Sequence, residues 1–322
     1  MKGIRFSLLI GAFILGLCAS APAQNYPSRP VRIVVPFGAG GVADITVRVV
    51  AEKLGEKLGQ RFVIENQPGA GGIAAARNVL SSPADGYTLA MLTNGTAISV
   101  PLFKSLPFDP LKDFVPISSL GFFDFLLVTN TVTPFANLAD FVKTAQERPG
   151  LLNVGTINVG SSQNLSAELF KFAAWSDFAI IPYRTTPELL VGLLRNDVQL
   201  AIDTLAAMKP NLDDGKLRAL ASSGPIRTDS TPDIPTVLET GVRGFEVTSW
   251  NALFAPAGTP PEIVDILYQA LQETLAMEDV KKRLRELGIQ ARPTAPEDLQ
   301  ARLRADIEKW TEVIARAGIQ RQ

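Results

Sequence analysis

The residues available for chemistry are glycines, hydroxyls, amides and carboxylates, because the 322-residue chain has no histidine and one cysteine. It therefore lacks the commonest general base and the commonest metal ligand. A histidine-bearing catalytic triad and a structural zinc site built on cysteine and histidine are excluded. Its most organised stretch is Val31-Arg-Ile-Val-Val-Pro-Phe-Gly-Ala-Gly-Gly-Val-Ala-Asp44. An apolar run stops at Pro36 and passes through Gly38, Gly40 and Gly41 into a helix starting near Ala43 or Asp44. Backbone N–H groups at a helix start have no partner inside the helix, and the macrodipole adds partial positive charge. Glycines let a ligand approach those groups, so strand, turn and helix together form an anion-binding device. Two further readings stay open. Gly38-x-Gly40-x-x-Ala43, with Glu65 downstream, fits a dinucleotide fingerprint, or the glycines simply make tight turns.

The elements that must position this turn alternate between strand and helix. Strands are expected at 31–35, 61–65 and 87–92, with a helix over 44–58 capped by Gly59 and another through 76–80. Asn66-Gln-Pro-Gly-Ala-Gly-Gly72 and Thr93-Asn94-Gly95-Thr96 read as two more polar turns on the same strand edge, where α/β sheets bind ligands. Prolines make 101–116 a connecting region, and 122–128 a strand leaving a first lobe. A second α/β unit follows, with helices at 138–147, 165–174 and 187–196 and strands at 152–155, 179–183, 198–202 and 217–222. A return strand at 245–250 and helices over 262–277 and from the Thr294-Ala-Pro-Glu297 capping box to about 317 complete the chain.

Residues 1–23 read as a signal peptide: Lys2 and Arg5, an apolar run over 6–18, and Ala21-Pro22-Ala23 at the cleavage site. The run is short of the ~20 residues a spanning helix needs. Leu17 before Cys18 argues against a lipid anchor. Lys plus Arg number 31 and Asp plus Glu 32; losing Lys2 and Arg5 leaves 29 minus 32, or −3. That balance offers no basic field for nucleic acid. Pro36-Phe37 between strand and glycines, a second glycine turn where a ribose acid should act, and export all weigh against a dinucleotide.

The chain resembles the solute-binding proteins of the tripartite tricarboxylate transporter system, the Bug receptor family. The likeness runs through Pro36-Phe-x-Ala-Gly-Gly-x-x-Asp44, Glu65-Asn-Gln-Pro-Gly-Ala-Gly-Gly72, Pro83-Ala-Asp-Gly-Tyr-Thr-Leu89 and Leu106-Pro-Phe-Asp-Pro-Leu-Lys-Asp-Phe114. It continues through Ile181-Pro-Tyr183, Gly215-Lys-Leu-Arg-Ala-Leu220, Pro232-Asp-Ile-Pro-Thr-Val237 and Phe254-Ala-Pro-Ala-Gly-Thr-Pro260. The resemblance implies an α/β, type II-like periplasmic binding protein with a mixed sheet flanked by helices in each lobe and a hinge of two crossing strands. Lobe 1 would be 24–125 plus 250–322, and lobe 2 would be 126–249. It implies a monomeric periplasmic receptor, not an enzyme, with no cofactor or metal, delivering a small carboxylate to membrane permease subunits. An exported nucleotide-using enzyme and a sensory receptor of the same fold are the alternatives.

By the same resemblance, one ligand carboxylate is held by backbone groups and waters at Phe37, Gly38, Ala39, Gly40 and Gly41 and at Thr93, Asn94, Gly95 and Thr96. Gly160, Ser161, Ser162, Asn164 and Asp203 would read the other end. Where the family commonly has histidine, this chain has Asn164, which cannot carry positive charge; Arg184 could supply it instead. Asp44 reads as a cap before a ligand contact. Asp203 is balanced between receiving a ligand hydroxyl or amine and capping the helix at Leu205. Phe37 reads as a pocket wall, and Trp250 and Tyr183 as core or as closure reporters.

Overall fold

A computed structural model describes residues 26–316 and 318–322. The expected signal peptide, with Cys18, lies outside them. The first strand, β1 (Val31–Val35), pairs in parallel with both β2 (Phe62–Asn66) and β3 (Thr88–Thr93). Flanked on both edges and covered by α1 (Val42–Leu58) and α2 (Ile73–Leu80), it has the apolar run of a buried central strand. Gly59 ends α1 in the left-handed conformation at φ 70°, as its sequence position predicts.

After α3 (Asn94–Leu102) comes β4 (Phe114–Asn130), the axis of the molecule. Its residues to Asp124 pair with β9 (Thr248–Pro256), which in turn pairs with β3. From Phe125 onward it pairs with β7 (Leu200–Thr204), and from Leu126 with β8 (Leu217–Ser222) as well. The rest of the second half is α4 (Leu138–Glu147), β5 (Asn153–Ile157), α5 (Ser162–Ala173), β6 (Ala179–Tyr183), α6 (Thr186–Leu194) and α7 (Leu205–Asp213). The main sheet path is β2-β1-β3-β9-β4-β7-β5-β6. After β9 the chain adds α8 (Pro261–Ala276), α9 (Glu278–Glu286), the short β10 (Gln290–Ala291) on the edge of β4, and α10 (Pro296–Arg316).

Five local expectations change. The return strand expected at 245–250 is β9, displaced to Thr248–Pro256. The third polar turn is the first turn of α3, because Thr93 caps it: its hydroxyl takes the Gly95 N–H at 3.1 Å and its own N–H reaches the Thr96 hydroxyl at 3.2 Å. The strand expected at 122–128 begins at Phe114, and a register shift after Pro116 absorbs the missing donor. α5 begins at Ser162, so Asn164 sits on its first turn, not before it. Thr294 serves less as a cap than as a tie to β4, its N–H donating to the Ser118 hydroxyl at 3.2 Å.

α10 locks the first half from outside. Trp310 is buried and donates its indole N–H to the Asn94 amide oxygen at 2.9 Å. Trp250, also fully buried, donates to Asp306 Oδ2 at 2.6 Å, and Arg302 shares that oxygen at 2.8 Å. Trp250 is therefore core. Tyr183 likewise packs inward, its ring and hydroxyl filling the space beside Gly192 on α6.

Candidate ligand-binding cleft

The C-terminal ends of β1 and β3 in one half of the sheet, and of β5 and β7 in the other, carry the polar turns. The halves meet where Gly160 faces the end of α3: a β-carbon there would stand 2.8 Å from Leu102 Cδ2. Gly160 also has φ 82°, so glycine is required twice over.

On the first wall, Gly38, Ala39 and Gly40 are exposed and Phe37 is half-buried. The Gly40 N–H is already taken, donating to Asp44 Oδ2 at 2.9 Å. Asp44 also accepts Arg48 Nε at 2.9 Å and Asn66 Nδ2 at 3.0 Å, and Asn66 Nδ2 donates to the Phe37 carbonyl at 3.0 Å. Burial alone would push the Asp44 carboxyl up, but the bonds from Arg48, Gly40 and Asn66 together hold it below the usual carboxylate range. Asp44 is thus the clamp of the loop, in keeping with the cap reading. The N–H groups of Gly38, Ala39 and Gly41 have no protein acceptor among the described residues.

The α3 turn lies against this loop: a β-carbon on Gly95 would sit 3.9 Å from the tip of the Phe37 ring. Its side chains look elsewhere. Thr93 and Thr96 close the capping box, and Asn94 gives its oxygen to Trp310. The backbone around Gly95, not these side chains, faces the loop. The second glycine turn sits behind the first, since a β-carbon on Gly72 would meet the Pro36 ring at 3.3 Å.

On the second wall, the Asn164 amide is spent on its own loop. Oδ1 accepts the Gly160 N–H at 3.2 Å and Nδ2 donates to the Thr156 hydroxyl at 3.2 Å. The Ser161 hydroxyl accepts the Asn164 N–H at 3.1 Å and donates to the Ile157 carbonyl at 2.9 Å. Ser162 keeps a hydroxyl with no partner among the described residues. Asp203, inside β7 and buried, is fastened on every side: Oδ1 takes Gln163 Nε2 at 3.0 Å and the Thr204 N–H at 2.8 Å, and Oδ2 takes the Thr186 hydroxyl at 2.7 Å. Burial pushes its carboxyl well up despite those bonds. It orients Gln163 and Thr186, two residues the sequence reading passed over. The only signal for them was position, one in the first turn of α5 and the other before Pro187 at a strand end. Arg184 is exposed at the end of β6.

Glu65, the acid a dinucleotide site would aim at a ribose, is occupied. Arg32 pairs with Oε2 at 3.0 Å, and Gln67 and Asn78 donate to Oε1 at 2.6 and 3.2 Å. Among the described residues no group of three or more acidic or thiol side chains could hold a metal ion, and no helix is long and apolar enough to cross a membrane.

Two sheet halves sharing the long strand β4, with polar turns facing across the gap, define a two-lobe solute-binding protein. The chain belongs to the family described as the tripartite tricarboxylate transporter family receptor, whose model matches residues 46–319. It is similar to the periplasmic binding protein BugD, at 30% identity and a TM-score of 0.85 over 92% of this chain and 100% of that one. It is also similar to Rpa4515 of R. palustris, solved with adipate, at 36% identity and a TM-score of 0.87 over 92% and 99%. MatC of Rhodopseudomonas palustris, solved with bound malate, matches at 34% identity and a TM-score of 0.83 over 90% and 100%.

Proposed function

We propose that the protein captures a small carboxylate in this cleft and delivers it to the membrane permease subunits of a tripartite transporter, acting as a monomer in the periplasm. The carrying observation is the first wall. Asp44 braces the loop from behind through Gly40, leaving the N–H groups of Gly38, Ala39 and Gly41 free of protein acceptors among the described residues. Such fixed donors at a helix start suit a carboxylate, directly or through water. The adipate and malate bound by two relatives support that ligand class.

The two bodies that close are residues 24–125 with 250–322, and 126–249. The exchange of β4 partners between Asp124 and Phe125 supports that division. The second wall offers neutral groups, Ser162, Gln163 and Thr186. They suit a hydroxyl or the oxygens of a second carboxylate held by hydrogen bonds alone. The ligand must bind the closed arrangement better than the open one for capture to shift the population.

The test is a thermal-shift screen of mono-, di- and tricarboxylates and aromatic acids. Saturation at a hundred times Kd should add ~2.7 kcal/mol of stability. Gly38 has an ordinary φ and open space where a β-carbon would point, so Gly38→Asp adds a repelling carboxylate without strain. That variant should fold and lose the shift; retention of the full shift would remove the loop from the site.

A further inference from the structure

At the β4–β9 crossing lies a cavity of about 580 Å³ that shares no residue with the cleft. One side is the chain after β8, around residues 225–231, and the other is α9, β10 and α10. Against the ring of Phe122 lie two guanidiniums: Arg292 with its central carbon 3.9 Å from the ring centre, and Arg302 at 5.7 Å. Arg302 has Asp306 as its partner at 2.8 Å. Arg292 has no carboxylate and no side-chain hydrogen bond among the described residues, and Arg285 on the same wall has none either. Burial, and then the nearby Arg302 charge, push the Arg292 guanidinium down from its ordinary value. Three acids also line the cavity, Asp124, Asp229 and Glu246, and none pairs with Arg292; Asp124 accepts the Thr248 hydroxyl at 2.8 Å, and burial pushes its carboxyl up. Two like charges on one ring, one of them without a carboxylate partner among the described residues, make this edge of the cavity a place for an anion.

We propose that this cavity is a second, oxoanion-binding site, where Arg292 and Arg302 share a phosphate or carboxylate group of a small solute. Planar guanidiniums suit either group, and an aromatic floor holds their orientation. The site is independent of the cleft and of its ligand.

Isothermal titration calorimetry on the mature chain tests this, with inorganic phosphate in one arm and succinate in the other. Both arms are run in the Gly38→Asp background, which blocks the cleft. Saturable binding of phosphate alone identifies a phosphate site, and of succinate alone or of both a general carboxylate one. Either should weaken about tenfold in Arg292→Gln, the loss expected when one charge-assisted bond goes. Arg285→Gln, on the exposed face of α9, gives a second and smaller loss should Arg292→Gln fail to fold. No saturable binding of either anion, or affinity unchanged in the folded variants, overturns the proposal.

Discussion

Asp44 accepts the backbone N–H of Gly40 at 2.9 Å, so the acid of the glycine loop faces its own main chain and holds the turn open from behind. A carboxylate in that place would repel an anionic ligand if it were free; bonded to Arg48 and Asn66 as well, it serves as a scaffold.

Asp44→Ala should therefore lower both stability and ligand affinity. The side chain is buried while Arg48 is half exposed, so the stability loss should be about 1–2 kcal/mol, at the lower end for bonds to a charged group. The pH dependence has a definite sign. With its folded pKa depressed, Asp44 contributes stability above the ordinary aspartate value and loses it as pH falls through the lower folded one. The gap in Tm between wild type and Asp44→Asn should narrow across that acid window. A constant gap would mean the clamp is not ionic.

Asp203 carries the opposite sign. Burial raises its folded pKa, so its ionised form is a cost that grows as pH rises from the ordinary aspartate value toward the folded one. Asp203→Asn can keep partners for Gln163, Thr186 and Thr204. It should fold with a Tm at pH 7 equal to the wild type or about 2 °C higher. Asp203→Ala should cost affinity about tenfold by releasing Gln163 and Thr186. Calorimetry of the two variants side by side decides between an orienting role and a purely structural one.

Gly160→Ala should weaken both the fold and ligand binding. Its left-handed backbone costs roughly 1–2 kcal/mol with any β-carbon, and that atom would press on Leu102 where the halves meet. Ligand titration should show affinity falling about tenfold, with small-angle scattering reporting a ligand-saturated form more open than wild type.

Trp310→Phe removes the donor that satisfies Asn94 Oδ1 inside the first half. An orphaned buried acceptor costs about 1–3 kcal/mol. Chemical denaturation should show that loss, and the first turn of α3, half of the first wall, should exchange its amide hydrogens faster.

Much of this was legible in the sequence because the period of apolar residues and the placing of glycines are local signals. β1, α4, β6 and β8 fall on the expected residues, and Gly59 caps α1. The family resemblance also stands. The losses came from long-range partnership. Thr93-Asn-Gly-Thr96 looked like a loop because nothing local reveals that Thr93 and Thr96 cap each other or that Trp310 waits for Asn94. Asn164 is a ligand contact by the family resemblance alone, and nothing local reveals that its amide bonds Gly160 and Thr156. Gln163 and Thr186 were missed because their aim is set by Asp203, 40 and 17 residues away.

The place of β9 has a consequence for biogenesis. This strand lies between β3 and β4, so the amino-terminal sheet stays split until residues beyond 248 are available. The inserted half, from Phe125 to Ser222, already contains the pairing partners of β5, β6 and β7. Closing contacts of such separation is slow, so the glycine loop should mature last. Pulse-labelled exchange during refolding should find β5–β7 amides protected ahead of those in β1 and β3, and simultaneous protection would refute that order.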